Sequence, residues 1–367
     1  MTRLRDHLAH LITAEGPLSI AEFMRTALTA QSLGYYMRAD PFGAAGDFVT
    51  APEISQIFGE LIGLWSVATW EQLGSPSRFS LIELGPGRGT LMSDALRAAR
   101  VRPAFLDAAE VLLVEISPVL RERQQETLKD RRVRSLAWRN DFDETHIAGL
   151  PIIVIANEFF DALPIHHFAA TANGWRERCV GLTANDMLAF SLSPDPVPEG
   201  IIPPALARAP EGGVFEAAPA RDALAARVGE RVASEGGAAL IIDYGFSGPA
   251  IGDTLQALKA HAFVPVLDDP GHADLTAHVD FGALAAGFSA GGADVYGPIE
   301  QSAFLSRLGA RERVEALAEG TTLERRGALE LGLARLTEPE QMGSLFKALV
   351  AASPGLLPPG FALHERR

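Results

Sequence analysis

A single cysteine, Cys179, stands in a chain of 367 residues. That scarcity excludes an intramolecular disulfide and any zinc cluster built on cysteine, and it fits a reducing compartment. Long apolar runs are also missing; none approaches the roughly 18 residues that a membrane-spanning helix requires. The opening MTRLRDHLAHLITAEGPLSI has no signal-peptide core and too many acids for a typical transit peptide. Positive charge is outnumbered, 32 basic residues against 46 acidic, for a formal net charge of −14. Broad phosphate-backbone binding needs a basic surface, so nucleic acid is a poor partner, whereas an acidic surface favours cationic partners or substrates. What remains, 47% hydrophobic and 21% charged residues with glycine and proline scattered and unrepeated, is the composition of a cytosolic globular enzyme. The length suits about two to three domains, or one large α/β domain with additions.

Along the first 75 residues the pattern is helical but interrupted. Leu4, Leu8, Leu11 and Ile12 follow helical spacing, and Ser19 with Glu22 forms a capping box. Thr50-Ala51-Pro52-Glu53 reads as a second capping box, opening a helix through Ile57, Leu61, Leu64 and Trp65. Between these helices, GYYMRADPFGAAGDFVT has no period, and a segment of this kind is expected to form a lid or cleft wall. From Phe79 short apolar runs alternate with helical stretches: strands at 79–84, 110–116, 132–138, 151–157 and 238–244, helices at 90–100, 117–129 and 253–261. Near-continuous apolar strands alternating with helices imply a doubly wound parallel sheet with its site at the strands' carboxyl ends. An insertion at about 166–218 holds two antiparallel strands around Thr183–Asp186 and a proline-rich stretch; a helix follows near 219–235. After Gly297 the chain reads as helical to about Ala352. The expected division is an N-terminal helical region and lid (1–75), a core with its insertion (76–300) and a C-terminal helical region (301–367).

The stretch LIELGPGRGTL, residues 81–91, brings Gly85, Gly87 and Gly89 to the end of the first strand. A P-loop requires GxxxxGK[ST], and neither the second glycine nor the lysine is there. A dinucleotide fingerprint fails at its third position, which is Thr90. The arrangement that is present, acidic-x-Gly-x-Gly-x-Gly with Glu83 at the strand end, is similar to the cofactor loop of class I S-adenosylmethionine-dependent methyltransferases. A sulfonium cofactor is cationic and its ribose offers two hydroxyls, so acids should line the strand ends. Glu115, ending the second strand, is placed for the ribose hydroxyls and Asp141, after the third, for the adenine amino group. Both are also compatible with surface acids or caps, Asp141 with a turn.

After the fourth strand, NEFFDALPIHHF puts Asn157, Glu158 and Asp161 within four residues, so that two carboxylates converge on one cation. A guanidinium suits carboxylates bidentately, and methyl transfer to it would depend on alignment and electrostatics. Capping by Asn157 or Asp161 is the bland alternative. Adjacent His166 and His167 point to opposite faces of a strand and lack metal-ligand spacing, so no metal is expected. In DLTAHVDF, Asp280 reads as a helix N-cap and His278 as a candidate proton acceptor facing the cleft.

The segments GYYMRADPFGAAGDFVTAPEISQIFGE, IELGPGRGTL, ANEFFDALPIHHF, IIDYG, DLTAHVDF and GPIEQSAFL occur in this order in MidA-like methyltransferases, which the chain resembles over about residues 19–350. That family includes a mitochondrial assembly factor of respiratory complex I. The resemblance implies a Rossmann-like class I methyltransferase core, α/β and doubly wound, with a mostly parallel seven-stranded sheet and an insertion between strands 4 and 5. It implies S-adenosyl-L-methionine as cofactor, held by Gly85, Gly87, Gly89 and Glu115, with Gly46–Ser55 closing over it and Thr50, Pro52 and Glu53 near the methyl donor. It further implies a protein arginine as acceptor, in a complex I subunit. Mitochondrial members carry a targeting presequence, whereas this chain starts almost directly at its first helix, so a bacterial cytoplasm is the expected setting. A cofactor-binding assembly scaffold, a small-molecule methyltransferase and a dinucleotide oxidoreductase stay open as alternatives, and the oligomeric state is open too.

Overall fold

The computed structural model describes residues 4–38 and 50–367. Residues 39–49, with the Gly46–Val49 part of the expected lid, lie outside the described residues. The central sheet consists of β1 (Phe79–Leu84), β2 (Ala109–Val114), β3 (Ser135–Arg139), β4 (Ile152–Asn157), β5 (Gly237–Phe246), β6 (Asp294–Glu300) and β7 (Phe346–Ala352). Their order is β3-β2-β1-β4-β5-β7-β6, with only β7 antiparallel to its neighbours. A two-residue strand, Val279–Asp280, pairs with the end of β5. Chain order reverses between β1 and β4, the switch point at which such sheets open a crevice beyond their carboxyl ends.

Side chains alternate across the strands, so each face has its own core. Leu81, Val111, Ile153 and Leu240 face the helices Gln56–Gln72, Thr90–Ala98 and the C-terminal helices. Ile82, Leu112, Val154 and Ile241 face the helices Pro219–Glu235 and Phe281–Ala290. Gln56–Gln72 lies almost in backbone contact with Thr90–Ala98. A Cβ on Gly63 would sit 2.4 Å from the Ala95 carbonyl oxygen, and one on Gly59 2.7 Å from the Asp94 Cβ. Buried Glu60 ties the same helix to Arg97 (2.7 Å) and to Arg313 of the C-terminal part (2.7 Å). The first two helices, Leu4–Glu15 and Ile20–Thr29, pack on the insertion instead, in a third core with Ile165, Val180 and Leu275. The insertion is a five-stranded antiparallel sheet that borrows Leu18–Ser19 as an edge strand.

Four expectations need correction. Residues 253–261 are not helical: Gln256–Lys259 pairs with Ala262–Val264 and Asp274–Thr276, and the hairpin turns through Ala260 (φ +49°) and His261 (φ +62°), neither a usual turn residue. The chain is not helical from Gly297 to Ala352, because β7 closes that stretch in the middle of the sheet. Thr50 makes no side-chain cap; Glu53 is drawn instead to the glycine loop. The helix so opened ends at Ile54, and Ser55 caps a separate helix through the Ile57 N–H at 3.3 Å.

Candidate active site

Gly85 (φ +62°), Gly87 (φ +52°) and Gly89 (φ +80°) all lie in the left-handed region, where a Cβ is strained. At Gly85 there is also no room, since a Cβ would meet the Phe159 ring at 2.7 Å. The loop borders a cleft of about 430 Å³, within the roughly 300–1,000 Å³ of small-molecule sites. Glu115, Asn140, Asp141 and Phe142 form one wall, Tyr36 and Phe159 another.

Glu115 is buried, which pushes its carboxyl up to about 7 against the Ser117 N–H and Gln124 that hold it down. Oε1 accepts from Ser117 N–H (2.7 Å) and Oε2 from Gln124 (3.2 Å), leaving lone pairs for a vicinal diol. Gln124 escaped the sequence reading. Its fully buried amide donates to the Gly87 carbonyl (2.7 Å) and accepts from Trp138 Nε1 (2.8 Å), joining the glycine loop, Glu115 and β3. Leu120, Gln124 and Leu128 are the buried residues of one helix at spacing four, so a glutamine in an apolar stripe was the available signal. Asp141 is exposed at the cleft rim and forms an Asx turn onto the Asp143 N–H (2.9 Å), so the turn geometry and the cleft position coexist.

A smaller pocket continues from the cleft past Gly85 and Gly87 to Thr50, Pro52 and Glu53. These three residues are pinned over the loop: Thr90 donates to Glu53 Oε1 (2.5 Å), and Arg88 lies 3.8 Å from Oε2. Among the described residues, two acceptors at this pocket are buried without a partner, Glu83 Oε2 and Asn157 Oδ1. Burial alone pushes Glu83 up to about 8. Such a pair calls for a donor-rich, cationic group, as the ammonium of an aminoacyl tail is. Glu158 borders both spaces. It follows β4 at φ +50°, rare for a residue with a side chain, and its Oε1 accepts from the Ala51 N–H (3.0 Å) and Asn157 Nδ2 (3.1 Å). Burial raises it to about 7.

Two expected residues are placed apart. Asp161 borders neither space; it is buried behind Glu158 next to Tyr244 and Asp243, and burial raises its carboxyl. His278 lines a separate cavity of about 180 Å³ with Arg221 and Glu216 and stacks edge-on against Tyr244; burial lowers its pKa, keeping it neutral. Asp280 is the N-cap expected, accepting from Gly282 (2.8 Å) and Ala283 (3.1 Å). Residues remote in sequence gather at His167: Glu216 Oε1 at 3.1 Å and Asp253 Oδ1 at 3.9 Å. Arg178 already binds Asp253 through both oxygens (2.7 and 3.0 Å) and Thr254 binds Glu216, an ion-pair network that local spacing could not show.

Comparison with known proteins identifies the family and its cofactor. Residues 61–299 match the family described as "Putative S-adenosyl-L-methionine-dependent methyltransferase". The chain is 40% identical over 364 residues to "Protein arginine methyltransferase NDUFAF7, mitochondrial" of Danio rerio, covering 93% of this chain and 85% of that one. The protein of that name from Homo sapiens is 36% identical over 371 residues, with 94% and 82% covered. A crystal structure of a Burkholderia thailandensis protein bound to S-adenosyl-homocysteine superposes with a TM-score of 0.87 at 27% identity, covering 99% of this chain and 95% of that chain. A glycine loop at the switch point, a buried acid with lone pairs to spare and two unpartnered acceptors are of the kind that cofactor needs, and the chain belongs to this family of S-adenosyl-L-methionine-dependent methyltransferases.

Proposed function

We propose that the enzyme methylates an arginine side chain of a protein, with a respiratory complex I subunit as the first acceptor class to test. The observation that carries this reading is Glu158, a carboxylate at the junction of the two spaces, held by a lid amide on one side and Asn157 on the other. The relatives' name, protein arginine methyltransferase, points the same way.

In this reading Gly85, Gly87, Gly89, Glu115 and Asp141 hold the cofactor's nucleoside, while Glu83 and Asn157 take its ammonium. Bound S-adenosyl-L-methionine supplies an electrophilic methyl group. Glu158 binds the incoming guanidinium, and the pairing draws its own carboxyl down from about 7 into the ionised form. The carboxylate then turns one nitrogen toward the donor, raises its nucleophilicity and accepts the proton that this nitrogen sheds as the N–CH3 bond forms and the methyl–sulfur bond breaks, so that the rate comes from alignment and charge. Thr50, Pro52 and Glu53 wall the donor from water. Asp161 acts from behind Glu158 through the fold, and His278 is a candidate for guiding the acceptor from the neighbouring cavity. A cytoplasmic setting belongs to the same proposal, supported by the single cysteine; among the described residues no helix is long and apolar enough to cross a membrane.

The test compares wild type with Glu158→Gln. S-adenosyl-homocysteine affinity should be kept, while methylarginine on the acceptor, read by mass spectrometry in a strain carrying the variant, should disappear. Persistence of the mark refutes the role of Glu158. Loss of the mark's dependence on the enzyme, with the biological effect intact, favours a scaffold.

A further inference from the structure

We infer that Asp243 is a positioning residue for Glu158, a part that rests on the reading of Glu158 given above. Along β5 the residues Ala238–Ile242 are apolar and no more than 1% exposed; the next, Asp243, is a carboxylate at 0%. A strand in the middle of a sheet needs no acid there, and burying so polar a group is unfavourable unless its oxygens are used. They are. Oδ2 accepts the backbone N–H groups of Phe160 (3.0 Å) and Asp161 (3.2 Å), and Oδ1 accepts that of Tyr244 (2.9 Å). One residue earlier, the Ile242 carbonyl accepts the Glu158 N–H (2.9 Å).

Three amides of the turn after β4 are thus bonded to two adjacent residues of β5. This bonding keeps Glu158 in its left-handed conformation with its carboxylate between the two spaces. An apolar residue at 243 would leave two buried N–H groups without acceptors, and the turn would relax toward an ordinary φ. The ionisable groups around Asp243 are Asp161, Glu158, Tyr244 and Arg221; burial and the two neighbouring acids hold its carboxyl well above the ordinary range. Arg221 does not neutralise it by a hydrogen bond. Its Nη atoms donate to the carbonyls of Asp161, Leu163, Ala277 and His278, which clamps the same turn from the opposite side.

The test needs no acceptor. Sinefungin carries an amine where S-adenosyl-L-methionine carries its methyl, so its affinity relative to S-adenosyl-homocysteine reports a carboxylate placed at the donor. Both ligands are titrated by calorimetry into wild type, Glu158→Gln, Asp243→Asn and the double variant, and into Gln301→Leu, a remote buried residue that bonds the Leu336 carbonyl. Asp243→Ser replaces Asp243→Asn should the latter bind substoichiometrically. The preference for sinefungin should fall about tenfold in Glu158→Gln, the scale of losing a charged hydrogen bond. It should fall comparably in Asp243→Asn and no further in the double variant, since both changes remove one interaction. Gln301→Leu should lower the melting temperature and leave the preference alone. An unchanged preference in the Asp243 variants, or additive losses in the double variant, overturns the inference while leaving Glu158 in place. An unchanged preference in Glu158→Gln overturns the reading of Glu158 and the inference with it.

Discussion

If Glu115 takes the cofactor's ribose diol as proposed, cofactor affinity should be strongly pH-dependent, because two hydroxyl donors favour the ionised form of a carboxyl that burial lifts to about 7 in the free enzyme. If only the ionised form binds, the association constant scales with the ionised fraction. Affinity then falls about tenfold, or about 1.4 kcal/mol, for each pH unit below 7. In the proposed arrangement Glu83, lifted to about 8, takes the cofactor's ammonium with its free oxygen and adds a second proton to the linkage. The logarithm of the association constant for S-adenosyl-homocysteine should therefore rise with a slope of about 2 near pH 6 and flatten above pH 8. The neutral sulfur of that ligand keeps Glu158 largely out of the measurement. In Glu115→Gln the slope should drop by about 1, and the affinity at pH 8 by about 10- to 100-fold, the range for a hydrogen bond losing its charge. Calorimetric titrations at half-unit steps from pH 5.5 to 8.5 measure both. A flat wild-type profile between pH 8 and 6 would refute the argument, as would a Glu115→Gln variant that keeps the wild-type slope.

The same shifts set the stability of the free protein. A carboxyl raised by folding binds its proton more tightly in the native state, so this stability is present at acid pH and lost as pH rises through about 4.5 to about 8. Differential scanning fluorimetry should show the melting-point gain from S-adenosyl-homocysteine growing across that window; a constant gain contradicts the linkage. Gly87→Val puts a β-branched residue at φ +52° between the two spaces and should weaken S-adenosyl-homocysteine more than about 100-fold by calorimetry. Gln124→Leu leaves Trp138 Nε1 unpaired and frees Glu115, and should cost about 1–3 kcal/mol in urea denaturation together with about tenfold in affinity. Glu60→Ala takes the ion pair from Arg313 and leaves Arg97 with Asp94 alone (2.5 Å), and both arginines are about one-third exposed and can turn to water; the expected loss is about 1–3 kcal/mol, short of the roughly 3–5 for a fully buried pair.

How far the sequence reveals this architecture depends on how each signal arises. The strands β1, β2, β4 and β5 are covered on both faces, and unbroken apolar runs announce them. Strand β7 is just as buried, yet FKALVAA is mostly Ala, Leu and Lys, which favour helices; its neighbours β5 and β6, brought in from elsewhere in the chain, decide its conformation. Strand β6 hides behind Gly297-Pro298, where the register of pairing shifts. At the site, the glycines and Glu115 are legible because strand ends are. Spacing alone put Asp161 beside Glu158, but the left-handed turn at Glu158 carries it to the rear. Gln124 and Asp243 act through hydrogen bonds to distant backbone, which no local pattern encodes.

The position of β7 also has a consequence for synthesis. It is the last strand of the sheet to leave the ribosome, and its place is between β5 and β6, both made earlier. Until residue 352 emerges, β5 has an uncovered edge of Ala, Leu and Ile, and β6 has no partner in the central sheet. The nascent chain therefore holds its whole cofactor loop and Glu158 while still displaying an open apolar strand edge, the template on which chains pair with one another. A premature stop near residue 345 would keep every residue of the candidate cofactor cleft and yield an aggregate, because the strand that covers the edges of β5 and β6 is made after the whole site.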